Sequence, residues 1–223
     1  MHRTVKNIDL LVNLTSPTVI SNEFPFRSFF GLEKIMETMA GELKGHFLMA
    51  MPGLLDPNFN QTVTVICEHN REGAIGLVVN RSHAFLTCEE IFEELKIEYA
   101  PATSSLPVHV GGPVHTGEIF MLHGPPFSWD ACLMISPTLA MSNSRDILEA
   151  VAMRRGPQDF ILCLGCAGWG PGQLEAEIRE NAWLTFPAQE EIIFGRPIES
   201  RWEEAVKRLG IDPSLLSSTA GNA

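Results

Sequence analysis

Nothing in this 223-residue chain is long and apolar enough to cross a membrane, which takes roughly 18 or more apolar residues in a row. The longest apolar run, near Phe47–Leu55, contains Pro52 and Gly53. The first residues, Met1–Leu10, have the basic flavour of a signal peptide without its apolar stretch. Asp9 and Asn13 interrupt the only candidate, and no small-residue cleavage site follows. A disulfide framework is also missing. The five cysteines (Cys67, Cys88, Cys132, Cys163, Cys166) are odd in number and sit in apolar or helical stretches, so reduced thiols and a cytoplasmic setting are expected. Positive charge is scarce: 16 Lys and Arg stand against 27 Asp and Glu, a net charge of −11. Direct DNA binding is therefore disfavoured, because affinity for nucleic acid comes largely from cations that neutralise phosphates. No internal period exists that would make a solenoid.

What is present is ordinary globular material, 45% apolar and 19% charged, enough for one substantial core. Charge in residues 1–44 cancels: Arg3, Lys6, Arg27, Lys34 and Lys44 against Asp9, Glu23, Glu33, Glu37 and Glu42. The whole negative balance lies in 45–223. We read 1–44 as an N-terminal extension with one helix at Leu32–Met39, and 45–223 as the domain. Strands are expected at Phe47–Met51, Thr62–Cys67, Gly73–Val79, Val108–Val110, Glu118–Leu122, Ala131–Ile135 and Phe160–Leu164. Helices are expected at Cys88–Ile97, where Thr87 and Glu90 offer a capping box, and at Ser144–Met153, Gly172–Asn181 and Ile198–Leu209. Interleaved short strands and helices point to an α/β or mixed α+β fold.

Four segments carry residue types suited to chemistry. Gly165–Gln173 is glycine-rich and precedes a helix, a setting where backbone N–H groups can converge on an anion. It fits neither the P-loop nor the dinucleotide fingerprint; the competing reading is a tight turn in which Pro171 starts the helix and Trp169 packs. Cys163-x-x-Cys166 lacks the second ligand pair that zinc needs, with Cys67 and His69 the only candidates, and reads as two buried thiols. Cys67-Glu68-His69 places a nucleophile and a base at i and i+2, on one side of an ideal strand, with no orienting third group. His109, His115 and His123 lack metal-ligand spacing and read as surface or capping residues. Asp56-Pro57 reads as a turn or helix start capped by the Asp oxygen.

The blocks His46–Pro52, Asp56–Phe59, Val65–Asn70 and Gly73–Asn80 resemble the bacterial AlgH/YqgE family, and so do Gly111-Gly112-Pro113, Leu122-His123, Ser144-Arg145-Asp146, Gly168-Trp169, Gly172–Glu175, Asn181–Leu184 and Ala220-Gly221. The resemblance spans about residues 45–223. This chain departs from the family pattern at Gln61, Arg81-Ser82 and Cys166, where Arg, Lys-Pro and an aromatic are common. The resemblance implies a single compact α/β domain with a bifurcated, partly barrel-like sheet surrounded by helices, in a cytosolic bacterial protein. It implies no chemistry, although the family is often labelled a transcriptional regulator. The expected function is a non-catalytic regulatory module for a protein partner or a small anionic ligand, with no metal, cofactor or catalytic residue assigned. The expected binding surface gathers Asp56, Glu68, His69, Asn80, Trp169, Gly170 and Gln173. The rivals are an enzyme using a Cys/His pair and a transcriptional regulator.

Overall fold

Strands that are apolar on both faces set the architecture. In β1 (His46–Ala50), Phe47 and Met49 enter one hydrophobic cluster while Leu48 and Ala50 enter another. Such a strand must lie between two layers. The computed structural model describes residues 43–51, 54 and 56–213. The helix expected at Leu32–Met39, the stop at Pro52-Gly53 and the Ala220-Gly221 tail lie outside the described residues.

β1 is followed by β2 (Val63–Asn70), β3 (Gly73–Val78), β4 (Ser82–Thr87), α1 (Cys88–Glu94), β5 (Pro107–Val110), β6 (Val114–His123), β7 (Cys132–Met134), β8 (Ala140–Ser142), α2 (Arg145–Ala152), β9 (Phe160–Trp169), α3 (Gln173–Arg179), β10 (Trp183–Pro187), α4 (Glu190–Gly195) and α5 (Arg201–Arg208). The main sheet runs β10-β1-β2-β3-β9-β6-β8-β7 with antiparallel neighbours throughout. The fold is mixed α/β: a curled, largely antiparallel half-barrel with helices packed around it.

The sheet forks at β9. On one edge, β6 runs along it. On the other, β3 pairs with Ala167–Trp169 while β5 pairs in parallel with Leu162–Leu164. Gly165 sits at the branch with φ +72°. The chain there passes so close to β5 that a Cβ at Gly112 (φ +153°) would lie 2.3 Å from the Cys166 carbonyl carbon. Glycine is required at such an approach. Gly165 and Gly168 are thus not a turn, as the sequence suggests, but part of a strand that continues to Trp169; the expected turn is confined to Pro171-Gly172, and the helix starts at Gln173.

Three hydrophobic clusters share this sheet. Inside the curl, Phe47, Val65, Leu77, Cys163 and Cys166 meet Ile192 and Ile193 of α4 and Trp202, Ala205 and Val206 of α5. Outside it, α1 and α2 pack Ile91, Phe92, Ile147 and Leu148 against Val108, Met121 and Leu162. The third lies under α3, where Leu174 covers Leu48, Ile66, Trp169 and Trp183. Glu90 Oε2 accepts the Thr87 N–H at 2.9 Å, the reach-back half of the expected capping box. β4, β8, β10 and α4 were not expected from the sequence. His109 and His123, read as surface or capping residues, are 2% and 0% exposed and lie inside the structure.

Candidate functional site

Trp169 ends β9, Ala74 of β3 stands opposite it, and His69 of β2 stands opposite Ala74. Directly paired residues share a face, so His69, Ala74 and Trp169 form one row beneath α3. The ring of Trp169 is 5% exposed. It stacks on Phe59 at 6.0 Å between centroids and meets Trp183 edge-on at 5.9 Å. Glu177 ties this cluster together. Its Oε2 accepts both indole N–H groups, from Trp169 at 2.9 Å and from Trp183 at 2.7 Å. Its Oε1 accepts Gln173 Nε2 at 2.9 Å. Gln173 Oε1 in turn accepts the Gly170 N–H at 3.0 Å. His69 Nε2 lies 3.0 Å from Glu175 Oε1.

The Gly170 N–H, expected to be open to an anion, is therefore already bonded, and Glu175 places a carboxylate in the first turn of α3. Both features oppose an anion there. Glu177 is the residue that sequence reasoning missed on this face. Its signal is the spacing from Gln173, i and i+4 on one helix.

Asp56 and Asn80 are committed to the backbone of the neighbouring loop. Asp56 Oδ1 accepts the Asn58 N–H at 2.8 Å, the expected cap. Asn80 Oδ1 accepts the Val63 N–H at 2.7 Å, and its Nδ2 donates to the Gln61 carbonyl at 2.8 Å. Arg81 donates to the carbonyls of Pro57 at 3.0 Å, Asn58 at 2.9 Å and Asn60 at 2.6 Å. This loop carries Phe59 onto Trp169, which joins Asp56 and Asn80 to the α3 face through one ring. Glu68 Oε2 accepts Lys44 Nζ at 2.7 Å.

The Cys67–His69 couple does not form. A bulge between Ile66 and Glu68 breaks the alternation of β2. Cys67 enters the cluster inside the curl, with Sγ 3.6 Å from the Val65 carbonyl it donates to, while His69 turns toward Glu175 under α3. The left-handed backbone at Gly165 (φ +72°), opposite the register shift between Val114 and Ile119 of β6, breaks the alternation of β9, and both Cys163 and Cys166 enter the same cluster as Cys67. Burial pushes the Cys163 and Cys166 thiols up to about 12 and raises that of Cys67 well above its ordinary value. Neutral thiols are poor nucleophiles and poor ligands.

A second constellation, unforeseen from the sequence, lies between the β5–β9 edge and α4–α5. A pocket of about 320 Å³ opens there. Phe160, Leu162, Phe194 and Ile198 form apolar walls, and His109 and Arg201 supply polar groups. Arg201 is 5% exposed. Its Nη1 donates to the Val79 carbonyl and lies 3.2 Å from His109 Nε2, and its Nε donates to the Arg196 carbonyl at 3.0 Å. Among the described residues, no carboxylate lies within ion-pair distance of it. Burial lowers its pKa, opposed in part by Cys163 and then by the longer-range charge of Glu199. Burial also depresses His109 to about 4, helped by the Arg201 charge, so the imidazole is neutral and accepts from Arg201 through Nε2. The Leu162 backbone offsets this shift in part without reaching hydrogen-bond geometry at Nδ1. One signal marks Arg201 in the sequence. It stands beside Trp202 and four residues before Ala205, on the inward stripe of a helix where a charge is out of place.

The AlgH-like family profile matches residues 47–214. A UPF0301 protein of Desulforapulum autotrophicum is 54% identical over 184 residues, 82% of this chain and 97% of that protein. One from Thioalkalivibrio sulfidiphilus is 47% identical over 83% of this chain and all of its own length, 100%. The solution structure of the AlgH protein from Pseudomonas aeruginosa superposes with a TM-score of 0.69 at 46% identity, over 81% of this chain and 96% of that one. A Corynebacterium diphtheriae protein at 20% identity and a TM-score of 0.60 shares the fold. These matches and the forked half-barrel lead to one conclusion: the chain belongs to the AlgH-like family.

Proposed function

We propose that this protein is a cytoplasmic, non-catalytic binding module that takes a small ligand in the pocket between β5–β9 and α4–α5. One observation carries this reading: a buried guanidinium without a counter-charge lines a cavity. Desolvating an unpaired charge is costly, and a core selected only for stability favours apolar residues there. Cys67, Cys163 and Cys166 suit binding over catalysis, since burial keeps these thiols neutral and Cys67 faces away from His69. The α3 face, with Glu68, His69, Trp169, Gly170 and Gln173, and the loop held by Asp56 and Asn80 are the rival site. Their donors and acceptors largely serve one another, so in this reading they fasten the fold. Five unpaired cysteines fit a reducing compartment. A regulatory role, in this reading, runs through the ligand and not through direct contact with DNA.

The test is a fragment screen on the full chain by two-dimensional NMR. Fragments are expected to shift resonances of His109, Phe194 and Arg201 together. Fragments that cluster on Trp169 and Gln173 instead would move the site to the α3 face and overturn the assignment.

A further inference from the structure

The pocket's chemistry is lopsided in a way that selects its guest. Two cations reach it, and they differ: Arg196 is half-exposed and shares the Glu191 carboxylate with Arg208, with Glu191 Oε1 2.5 Å from Arg196 Nη2 and Oε2 2.7 Å from Arg208 Nη2, so water and a carboxylate screen it. Arg201 keeps its charge. Its hydrogen bonds run through Nε and Nη1, which leaves Nη2 for a ligand. Val79, Arg196 and His109 fix the guanidinium from three sides without cancelling its charge, so the plane is set before anything binds. Of the five guanidinium N–H groups the two on Nη2 stay free, and they diverge, so a ligand oxygen meets the guanidinium through a single charge-assisted hydrogen bond at Nη2. The remaining walls are mostly apolar, with Phe160, Leu162, Phe194 and Ile198 prominent and Gln158 the one further polar side chain of the lining. A volume of about 320 Å³ lies at the small end of the ~300–1,000 Å³ common for ligand pockets.

Resting on the reading of this pocket as the ligand site, we propose that the ligand is a small organic monocarboxylate, its carboxylate against Arg201 and its apolar body between Phe160 and Ile198. A phosphate fits less well. It carries more charge than one guanidinium offsets, and its hydrated oxygens would face rings and aliphatic carbons.

The experiment uses the full chain and five probes: hexanoate, benzoate, hexanamide, inorganic phosphate and a general fragment set, each titrated by calorimetry and NMR. Hexanoate or benzoate is expected to bind saturably, and hexanamide at least about ten-fold more weakly than hexanoate, since it keeps the tail and loses the charge. Two variants locate the site. Arg201→Met removes the charge. Ile198→Glu alters a half-exposed wall position and supplies a carboxylate beside Arg201, so it tests the same point should Arg201→Met fold poorly. Each is expected to abolish carboxylate binding while the NMR dispersion stays native. Hexanamide binding as tightly as hexanoate overturns the carboxylate assignment and leaves a small-ligand pocket standing. Phosphate displacing hexanoate at equal concentration overturns it in favour of an inorganic anion. Carboxylate binding that survives in Ile198→Glu places it elsewhere and overturns the proposal. Failure of hexanoate and benzoate alone overturns the ligand class, and failure of every probe, fragments included, removes the reading beneath it as well.

Discussion

The α3 face and the Arg201 pocket are both polar clusters set in apolar surroundings, and they differ in how far they complete themselves. Under α3, one carboxylate receives two indole N–H groups and an amide, and that amide caps a glycine N–H. His69 Nδ1 and Thr64 Oγ1, opposite Leu48, are left over, and both are neutral. In the pocket, a full positive charge is held by neutral acceptors and faces open volume. A buried network that satisfies its own valences is part of the framework, and one that ends in unmatched charge is open to a visitor. The difference makes opposite demands on mutation, and four measurements sharpen or break it.

Trp169→Ala has the largest expected effect. The ring is 5% exposed and packs against Phe59, Trp183 and Leu174, so its loss should cost about 3–5 kcal/mol in urea unfolding. A cost below about 1 kcal/mol would mean that this face is not framework.

The acid limb of the stability profile comes next. His109 is held at about 4 when folded against 6.5 ordinarily. Between those values the unfolded chain takes up a proton that the folded chain refuses. Stability should therefore be level above pH 6.5 and fall as the pH drops toward 4, by about 3 kcal/mol for this group. His83 and His123 are depressed by burial too and add to the fall with the same sign. Chemical denaturation of His109→Gln across this range should show a shallower slope. An unchanged slope would show that His109 titrates normally.

Arg201→Met should cost far less than Trp169→Ala although both side chains are buried. It removes bonds to the Val79 and Arg196 carbonyls, and it also removes a desolvated charge that lacks a partner. The net expectation is about 1 kcal/mol of destabilisation, read from the same urea curves. A loss as large as that of Trp169→Ala would make Arg201 framework and erase the contrast.

The smallest expected effect is none. A random DNA duplex titrated at physiological salt should not bind tightly, since the net charge is −11. Submicromolar affinity with a steep salt slope would show a phosphate-reading surface and revive direct DNA regulation.

Local pattern explains what the sequence revealed. β1, β2 and β3 are apolar or β-branched runs, and α1, α2 and α5 carry stripes at helical spacing, so each shows itself within a dozen residues. β8 is three residues long, and β10 ends in Pro187 at a sheet edge, so neither makes a pattern of its own. The glycines of β9 misled because they answer to Gly112, a residue over fifty positions away, and not to a turn. The burial of Trp169 followed from its size and its need for an acceptor, though the acceptor proved to be Glu177. The bulge after Ile66 reversed the side on which His69 lies, and no residue type announces it. Arg201 and His109 are 92 positions apart, so their meeting belongs to topology alone.

The fork at β9 also sets a timetable. Synthesis runs from the N-terminus, and until Trp169 has been made, the strand that joins β3, β5 and β6 does not exist. β1 likewise waits for β10, the last strand of the sheet. A chain still on the ribosome thus holds several finished strands with bare edges and no common neighbour, a state prone to pair with the wrong partner. The β1–β2–β3 group and the β6–β8–β7 group can each pair within themselves as they emerge, but they become one sheet only when β9 is laid between them, so a product that stops before β9 holds two separate half-sheets.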